Sequence, residues 1–328
     1  MIKAAPSTGR GWGALAILLA SVLWGTTGTA ASFAPGIGSI AIGAAAMGIG
    51  GLLQAAIAAR PVAAFRSSLT RQWPVVTTGA LAVAAYPLAF YTSMRLAGVA
   101  IGTVVSLGSA PLASAVIERV MDKRPFTIRW ALGAASGVCG ALLLCLAGQV
   151  HAGSGHDIPG GATSLGIGLG LLAGLSYAAY SWAAHRLIET GIPSTAAMGS
   201  VFGAGGLLLM PVLAATGAPF LASWQNLAVG AYMAVVPMFA GYVLFGWGLA
   251  RVGAGAATTL TLSEIVVAAL LAVMVVGEQL SAPAWSGAAL ITGSLLVLTL
   301  PSRRRRRRLP EDHADDGGKQ LPEPAARG

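Results

Sequence analysis

Charge is what this chain has least of. Asp, Glu, Lys and Arg together make up 9% of its 328 residues, whereas about a quarter of an ordinary soluble domain is charged, and that scarcity excludes a soluble domain. Cysteine is scarce too. Cys139 and Cys145 lie in one apolar stretch at a spacing that suits neither a metal-ligand pair nor a secreted disulfide framework, so both are read as packing residues. The four histidines form no pair and join no Cys/His cluster, which leaves no metal site to expect. No GxxxxGK followed by Ser or Thr occurs, so there is no phosphate-cradling loop for ATP. Any transport by this chain would have to draw on a gradient, with no cofactor.

Apolar length is what the chain has instead. Hydrophobic residues are 55% of the sequence, and a membrane span needs roughly 20 of them in succession. Ten stretches qualify: Trp12 to Phe33, Ile37 to Ala59, Pro74 to Met94, Val99 to Ile117, Ile128 to Ala147, Leu165 to Ala184, Thr195 to Ala215, Leu227 to Ala250, Ala254 to Val276 and Pro283 to Leu300. The 45 glycines are about twice the usual share. Runs such as Gly166, Gly170, Gly174 and pairs such as Gly133 with Gly137 and Gly199 with Gly203 recur every fourth residue, the spacing that lets membrane helices approach closely.

The pattern is written twice. GVAIGTVVSLGSAPLASAVIERVMDKRP, from Gly98 to Pro125, is echoed by GAGAATTLTLSEIVVAALLAVMVVGEQLS, from Gly253 to Ser281, and an apolar segment opening near Trp130 or Trp285 follows each. Five spans per copy is an odd number, so the copies must cross the bilayer in opposite senses. The expected fold is an all-α polytopic membrane protein with ten transmembrane helices in two inverted five-helix repeats. Residues 1–11 would form a cytoplasmic N-terminus, 12–150 the first repeat, 151–164 an external loop, 165–300 the second repeat, and 301–328 a basic then acidic disordered tail.

Basic residues set the orientation, because cytoplasmic loops retain Lys and Arg. With both termini in the cytoplasm, nineteen of the twenty basic residues face inward and only Arg95 falls outside. The first 31 residues resemble a signal peptide, but cleavage there would leave five helices to pair with four. Arg303 to Arg308 could suggest nucleic acid; directly after a final span, six arginines instead fix topology and rest on anionic lipid. No nucleic-acid partner is expected. The expected partners are the bilayer and a small-molecule substrate, with the protein a monomer or a homodimer.

Glu264 is the carboxylate set deep in a span. Counting from Gly253 at 1.5 Å per residue places it roughly 16 Å along the helix, near the middle of a hydrocarbon core about 30 Å thick. A charge there costs about 2.5–3.5 kcal/mol on insertion scales, so it should face a cavity or partner, or be protonated. Ala257, Thr261 and Ala268 share its helical stripe. In the first repeat its counterpart is Ala110, beside Pro111, with Gly102, Ser106, Ser109 and Ala113 as the matching stripe. Tyr86 and Tyr242, each near a proline at mid-depth, are candidates for a polar-aromatic lining. Trp24, in LWGTTGT, and Tyr177, in LSYAAYS, hold equivalent places in the two repeats. An intramembrane enzyme would need an activated nucleophile beside a base, but His185 sits at a helix end and His151 and His156 in a loop. A lipid-handling flippase remains open, and would require a lateral opening.

LASVLWGTTGTA, YTSMRLAGVAIGTVVSLGSAP, GLARVGAGAATTLTLSE and VVGEQLS, in this order and duplicated, resemble the EamA family of the drug/metabolite transporter superfamily over nearly the whole chain to Leu300. The resemblance implies a central cavity lined mainly by the third, fourth, eighth and ninth helices, and transport of small metabolites, commonly export of amino acids. Two departures stand out. Members often follow the ninth-helix Glu with Pro, where this chain has Ile265, which puts a kink there in doubt. Many also carry a basic residue in the second helix, and none precedes Arg60 here. The expected function is therefore alternating-access transport of a small organic metabolite or drug across the cytoplasmic membrane, most consistent with efflux. Glu264 would serve as proton carrier or partner of a cationic group, Tyr86, Tyr242 and Trp24 as lining, and Ser109 and Thr261 as hydrogen-bonding groups.

The charge split generates a test. Reporter fusions after Arg71, Arg129 and Leu300 should read cytoplasmic and one between His151 and Gly160 external; an external C-terminus would overturn both orientation and repeat.

Overall fold

In a bilayer no water is available to satisfy a peptide group, so a chain of this composition must close its backbone hydrogen bonds within helices. The computed structural model, which describes residues 7–34, 36–97, 99–123, 127–151, 160–276 and 282–299, is helical throughout, with no strand among the described residues. Among the described residues, eight helices are long and apolar enough to cross a membrane. The expected loop of 151–164 lies largely outside the described residues, as do the segment around Gly277 to Ser281 and the Arg303–Arg308 tail.

In chain order, α1 (Ser7–Gly25) turns at Thr26 into α2 (Thr27–Ser32), and α3 (Ser39–Ile57) returns. Two short helices, α4 (Ala59–Ala64) and α5 (Arg66–Arg71), lead into α6 (Trp73–Ala97), α7 (Val99–Met121) and α8 (Ile128–His151). Next come α9 (Gly160–Glu189), α10 (Ser194–Thr216) and a 3-10 turn, Ala218–Ala222. One long rod then joins α11 (Trp224–Met233), a π-turn (Ala234–Ala240) and α12 (Gly241–Val252). A last pair of rods is made from α13 (Ala254–Leu260), α14 (Ser263–Leu271) and a second π-turn (Ala272–Val276), followed by α15 (Ala282–Thr299). The fifth and tenth expected spans fall on α8 and α15, which are not among those eight; in α8 the apolar stretch is the shorter Trp130–Leu143.

The rods pair closely. α6 and α7 lie along α9, α1 lies along α12 and α14, α3 along α10, and α8 along α15. Because lipid tails are as apolar as Leu, burial gives helices in a bilayer little reason to associate, and close packing has to do so instead. Glycine provides it. A Cβ on Gly51 would strike the Phe202 carbonyl, and one on Gly206 would come within 2.6 Å of the Gly48 carbonyl, so α3 and α10 meet backbone to backbone. Gly13 and Gly248 do the same for α1 and α12, and Gly140 with Gly287 for α8 and α15. The run Gly166, Gly170, Gly174 faces Ala97, Ser93 and Ser109 of α6 and α7, which makes it a helix-packing stripe as its spacing suggested. Large side chains fill the centre, where Tyr180, Phe202 and Phe245 are fully buried. Leucines such as Leu171 and Leu207 point outward at no cost in lipid.

Replacing Gly51 by Ala should therefore cost about 1–3 kcal/mol through overpacking against a backbone atom. Gly168, with nothing within 4 Å of a built Cβ, is the control: thermal unfolding in detergent should shift down for Gly51→Ala and stay in place for Gly168→Ala.

Candidate functional site

The site begins with threonines. Along GAGAATTLTLSE the hydroxyls of Thr258, Thr259, Thr261 and Ser263 each donate back to a carbonyl three or four residues earlier. Such back-bonding competes with the helical ladder and bends it. The rod breaks at Thr261 and Leu262, where Leu262 N bonds to Thr259 O and Glu264 N to Thr261 O, both three residues apart. A discontinuous helix is thus formed without the proline, and Glu264 stands in the first turn of α14, where the helix dipole favours a carboxylate.

Across from it, LWGTTGT breaks α1 in the same manner. Thr26 donates to Leu23 O at 2.6 Å and Thr27 to Trp24 O at 2.7 Å. Gly25 lets the two breaks touch, since its Cβ would lie 2.7 Å from Val267 and 3.1 Å from the Glu264 carbonyl.

Between these elements lies a cavity of about 30 Å³, bounded by Thr27, Gly43, Met47, Tyr86, Pro87, Phe90, Tyr91, Met238 and Glu264. It has room for a water or two and is far below the ~300 Å³ of small-molecule pockets. No basic side chain lines it. Beneath it sits a layer of rings. Tyr86 packs on Tyr177 at 5.6 Å, and Trp24 on Tyr242 at 4.7 Å, so each repeat's first long rod meets the other's aromatic rod. The hydroxyls are paired as well: Tyr180 with Tyr242 at 2.8 Å, and Tyr177 donating to Thr261 at 2.8 Å, which passes the bond on to Thr258 O. Trp24 donates its indole N–H to Pro237 O at 2.8 Å. Pro237 lacks an N–H and widens its rod into the π-turn, and the indole satisfies a carbonyl of that irregular stretch.

A second polar group closes the α13 end. Glu118 of α7 accepts from Gly255 N at 2.8 Å, and Trp130 Nε1 donates to Gly255 O at 3.3 Å. One turn on, Asp122 accepts from Trp182 Nε1 at 2.8 Å and faces Arg186 at 3.5 Å. Gly253, at φ +86°, supplies the left-handed turn into α13 that a side chain would strain.

Of the residues singled out in the sequence, Glu264 and Tyr86 meet in the cavity, while Tyr242, Thr261 and Trp24 support it through the ring layer. Ser109 lies elsewhere. Its hydroxyl bonds back to Ser106 O at 3.3 Å and abuts Gly174, so it packs between α7 and α9. Bulk at Ser109 would therefore meet the α9 backbone. Tyr91, Thr27 and Met238 were not anticipated. Tyr91 is one step round the helix from the Tyr86–Phe90 stripe, and only the width of the cavity reveals it.

The EamA-like transporter family model matches the chain twice, over residues 11–146 and 164–300. The chain belongs to the EamA-like transporter family. This transporter is a multi-pass integral membrane protein. It is 33% identical over 299 residues to a protein of Bacillus subtilis described as the uncharacterized transporter YwfM, a match covering 89% of this chain and 95% of that protein. A shorter match, 32% identical over 103 residues and covering 31% of this chain and 34% of the relative, is to the uncharacterized inner membrane transporter YicL of Salmonella typhimurium. A solved crystal structure shares the fold at a TM-score of 0.68, with 21% identity, 89% of this chain and 98% of that one covered.

In this transporter Glu118 acts as a helix cap supplied from a neighbouring rod, and losing such a cap costs about 0.5–2 kcal/mol. Glu118→Ala should speed hydrogen exchange of the amides at the start of α13 while leaving those of α3 and α10 unchanged; equal protection would mean the contact contributes nothing.

Proposed function

We propose that this protein carries a small organic molecule across the cytoplasmic membrane by alternating access, in a frame of ten helices arranged as two inverted five-helix repeats. The helix pairings support that frame. Exchanging each rod for its counterpart five spans away turns α6 with α9 into α12 with α1, and α7 with α9 into α14 with α1, while α3 with α10 and α8 with α15 map onto themselves. The duplicated family match over 11–146 and 164–300 agrees with repeats at 12–150 and 165–300. With the termini inside, Glu118, Asp122, Arg186 and Gly255 fall at the cytoplasmic end, where their contacts tie α7 to α9 and α13. The charge pattern and the inner-membrane designation of one relative support the location, and Arg303 to Arg308 would rest on anionic lipid.

The observation that carries the proposal is Glu264 itself: a carboxylate at a helix break inside an apolar span, facing a small aromatic-lined cavity with no basic neighbour in its lining. It serves as proton carrier or as partner of a cationic group, with Tyr86 touching the substrate. Tyr242, Thr261 and Trp24 hold the lining in place, and Ser109 keeps α7 against α9. Export of amino acids, the activity common in the family, would leave a substrate carboxylate unpaired here, so an amine or other cationic group fits the cavity better. The lining of the Glu264 cavity holds no His, Cys, Ser or Lys, and its hydroxyls are those of Thr27, Tyr86 and Tyr91.

Glu264→Gln keeps the shape and removes the titration. In vesicles loaded with a metabolite panel, a coupling role predicts a folded variant that still exchanges substrate and loses acceleration by a pH gradient. A cation-binding role predicts that exchange itself falls and that Asp restores more than Gln. Full pH-driven transport by the Gln variant would leave Glu264 a structural residue.

A further inference from the structure

We propose that a groove on the bilayer side of the bundle is a lateral port for the apolar chain of an amphiphilic cation whose head group is held at Glu264. The proposal rests on the reading of Glu264 as the partner of a cation. The groove measures about 460 Å³, within the ~300–1,000 Å³ of small-molecule sites, and is lined by Thr26, Ala30 and Phe33 at the end of the first rod, Ala228 and Tyr232 of α11, and Leu271 of α14.

Its lining is nearly all carbon, and it is open along one side. Phe33 in its wall and Leu227 beside it are exposed, so it continues the surface that touches lipid. A polar solute would find too few partners there to replace its water, whereas an alkyl chain loses nothing in passing from the bilayer to this wall.

The groove and the Glu264 cavity share their walls. Thr26 faces the groove and Thr27 the cavity; Tyr232 and Met238 divide the same way along one rod. Leu271 lies two turns beyond Glu264 on the same face of its helix. In this partition Thr26 pairs with Tyr232 through their hydroxyls at 2.7 Å, while Gln225 Nε2 donates to Phe33 O at 2.7 Å in the groove wall. Both residues of the hydroxyl pair adjoin an interruption, the α1–α2 break on one side and the π-turn after Met233 on the other. Parting two hydroxyls exposes no charge, and it would join a space too small for a metabolite to one large enough for its tail. The cytoplasmic end is instead held by the polar contacts of Glu118, Asp122 and Arg186.

The test uses the full chain in phosphatidylcholine vesicles with a single-chain alkylammonium that carries a photoactivatable diazirine at mid-chain, and the matching alkyl alcohol for comparison. Cross-links mapped by mass spectrometry should concentrate at Ala30, Ala228 and Leu271 with the ammonium probe. They should fall severalfold in Ala228→Trp, and in Ala30→Trp should the first variant fold poorly. Glu264→Gln should remove the preference for ammonium over alcohol. Thr26→Val, which parts the hydroxyl pair without filling the groove, should extend labelling to Tyr91 and Met238. Labelling no stronger than at the lipid-facing Leu171 and Leu207, equal labelling by both probes in the unmodified protein, or no spread in Thr26→Val would each overturn the port. Those outcomes leave the role of Glu264 to the pH-gradient measurement, which fails or succeeds without reference to the groove.

Discussion

Every irregularity in this protein has to satisfy its own backbone, because the bilayer offers no water to do so. That constraint organises the site. Three rods are interrupted where the site is built, and each interruption comes with a local repair. Threonine and serine hydroxyls bond back to carbonyls around Thr26 and Thr261. The Trp24 indole reaches Pro237 O in the π-turn. Glu118 takes the Gly255 amide at the start of α13. Irregular backbone at membrane depth is tolerated only where it is buried in protein or lines a cavity, and here it does both. The functional features therefore fall where the ladder is broken.

Glycine has the opposite task. The contacts of α3 with α10, α1 with α12 and α8 with α15 bring backbones together through Gly51 and Gly206, Gly13 and Gly248, and Gly140 and Gly287. Such flat surfaces hold through many small dispersion contacts rather than through burial from water. Polar side chains are left to the positions where they have particular partners, as Ser93 has in the Gly166 carbonyl at 2.6 Å. Ser106, Ser114 and Ser181 are exceptions, with buried hydroxyls that have no hydrogen-bond partner among the described residues.

The electrostatics of the interior are one-sided. Glu264 carries the acidic function of the cavity, and the basic groups stay at the membrane faces or at the Asp122–Arg186 pair. A carboxylate at such depth is costly unless a proton or a cation accompanies it. The tyrosine layer below adds donors and acceptors that are already paired with one another and with Thr261, so it shapes the floor of the cavity without adding charge. Together these features put one acidic side chain and paired tyrosine hydroxyls around the cavity, with Glu118 capping the start of α13 and Thr26 paired with Tyr232 on the groove side.

Eight of the expected spans, found among the described residues, and the packing role of Gly166, Gly170 and Gly174 were legible in the sequence, because each depends on hydropathy or on spacing along a single helix. The family was legible for the same reason, as its motifs are local and recur in order. The break before Glu264 was half visible: the threonines were there, but the missing proline argued against a kink, and only the hydrogen bonds to Thr259 and Thr261 carbonyls decide it. The meeting of Tyr91 and Glu264, the pairing of Tyr180 with Tyr242, the turning of Ser109 toward Gly174, and the groove beside Thr26 depend on how rods far apart in sequence are rotated about their axes. A small residue pattern fixes which face of a helix can approach a neighbour, but in lipid it leaves the choice of neighbour to packing between whole rods, and that choice exists only in the tertiary structure.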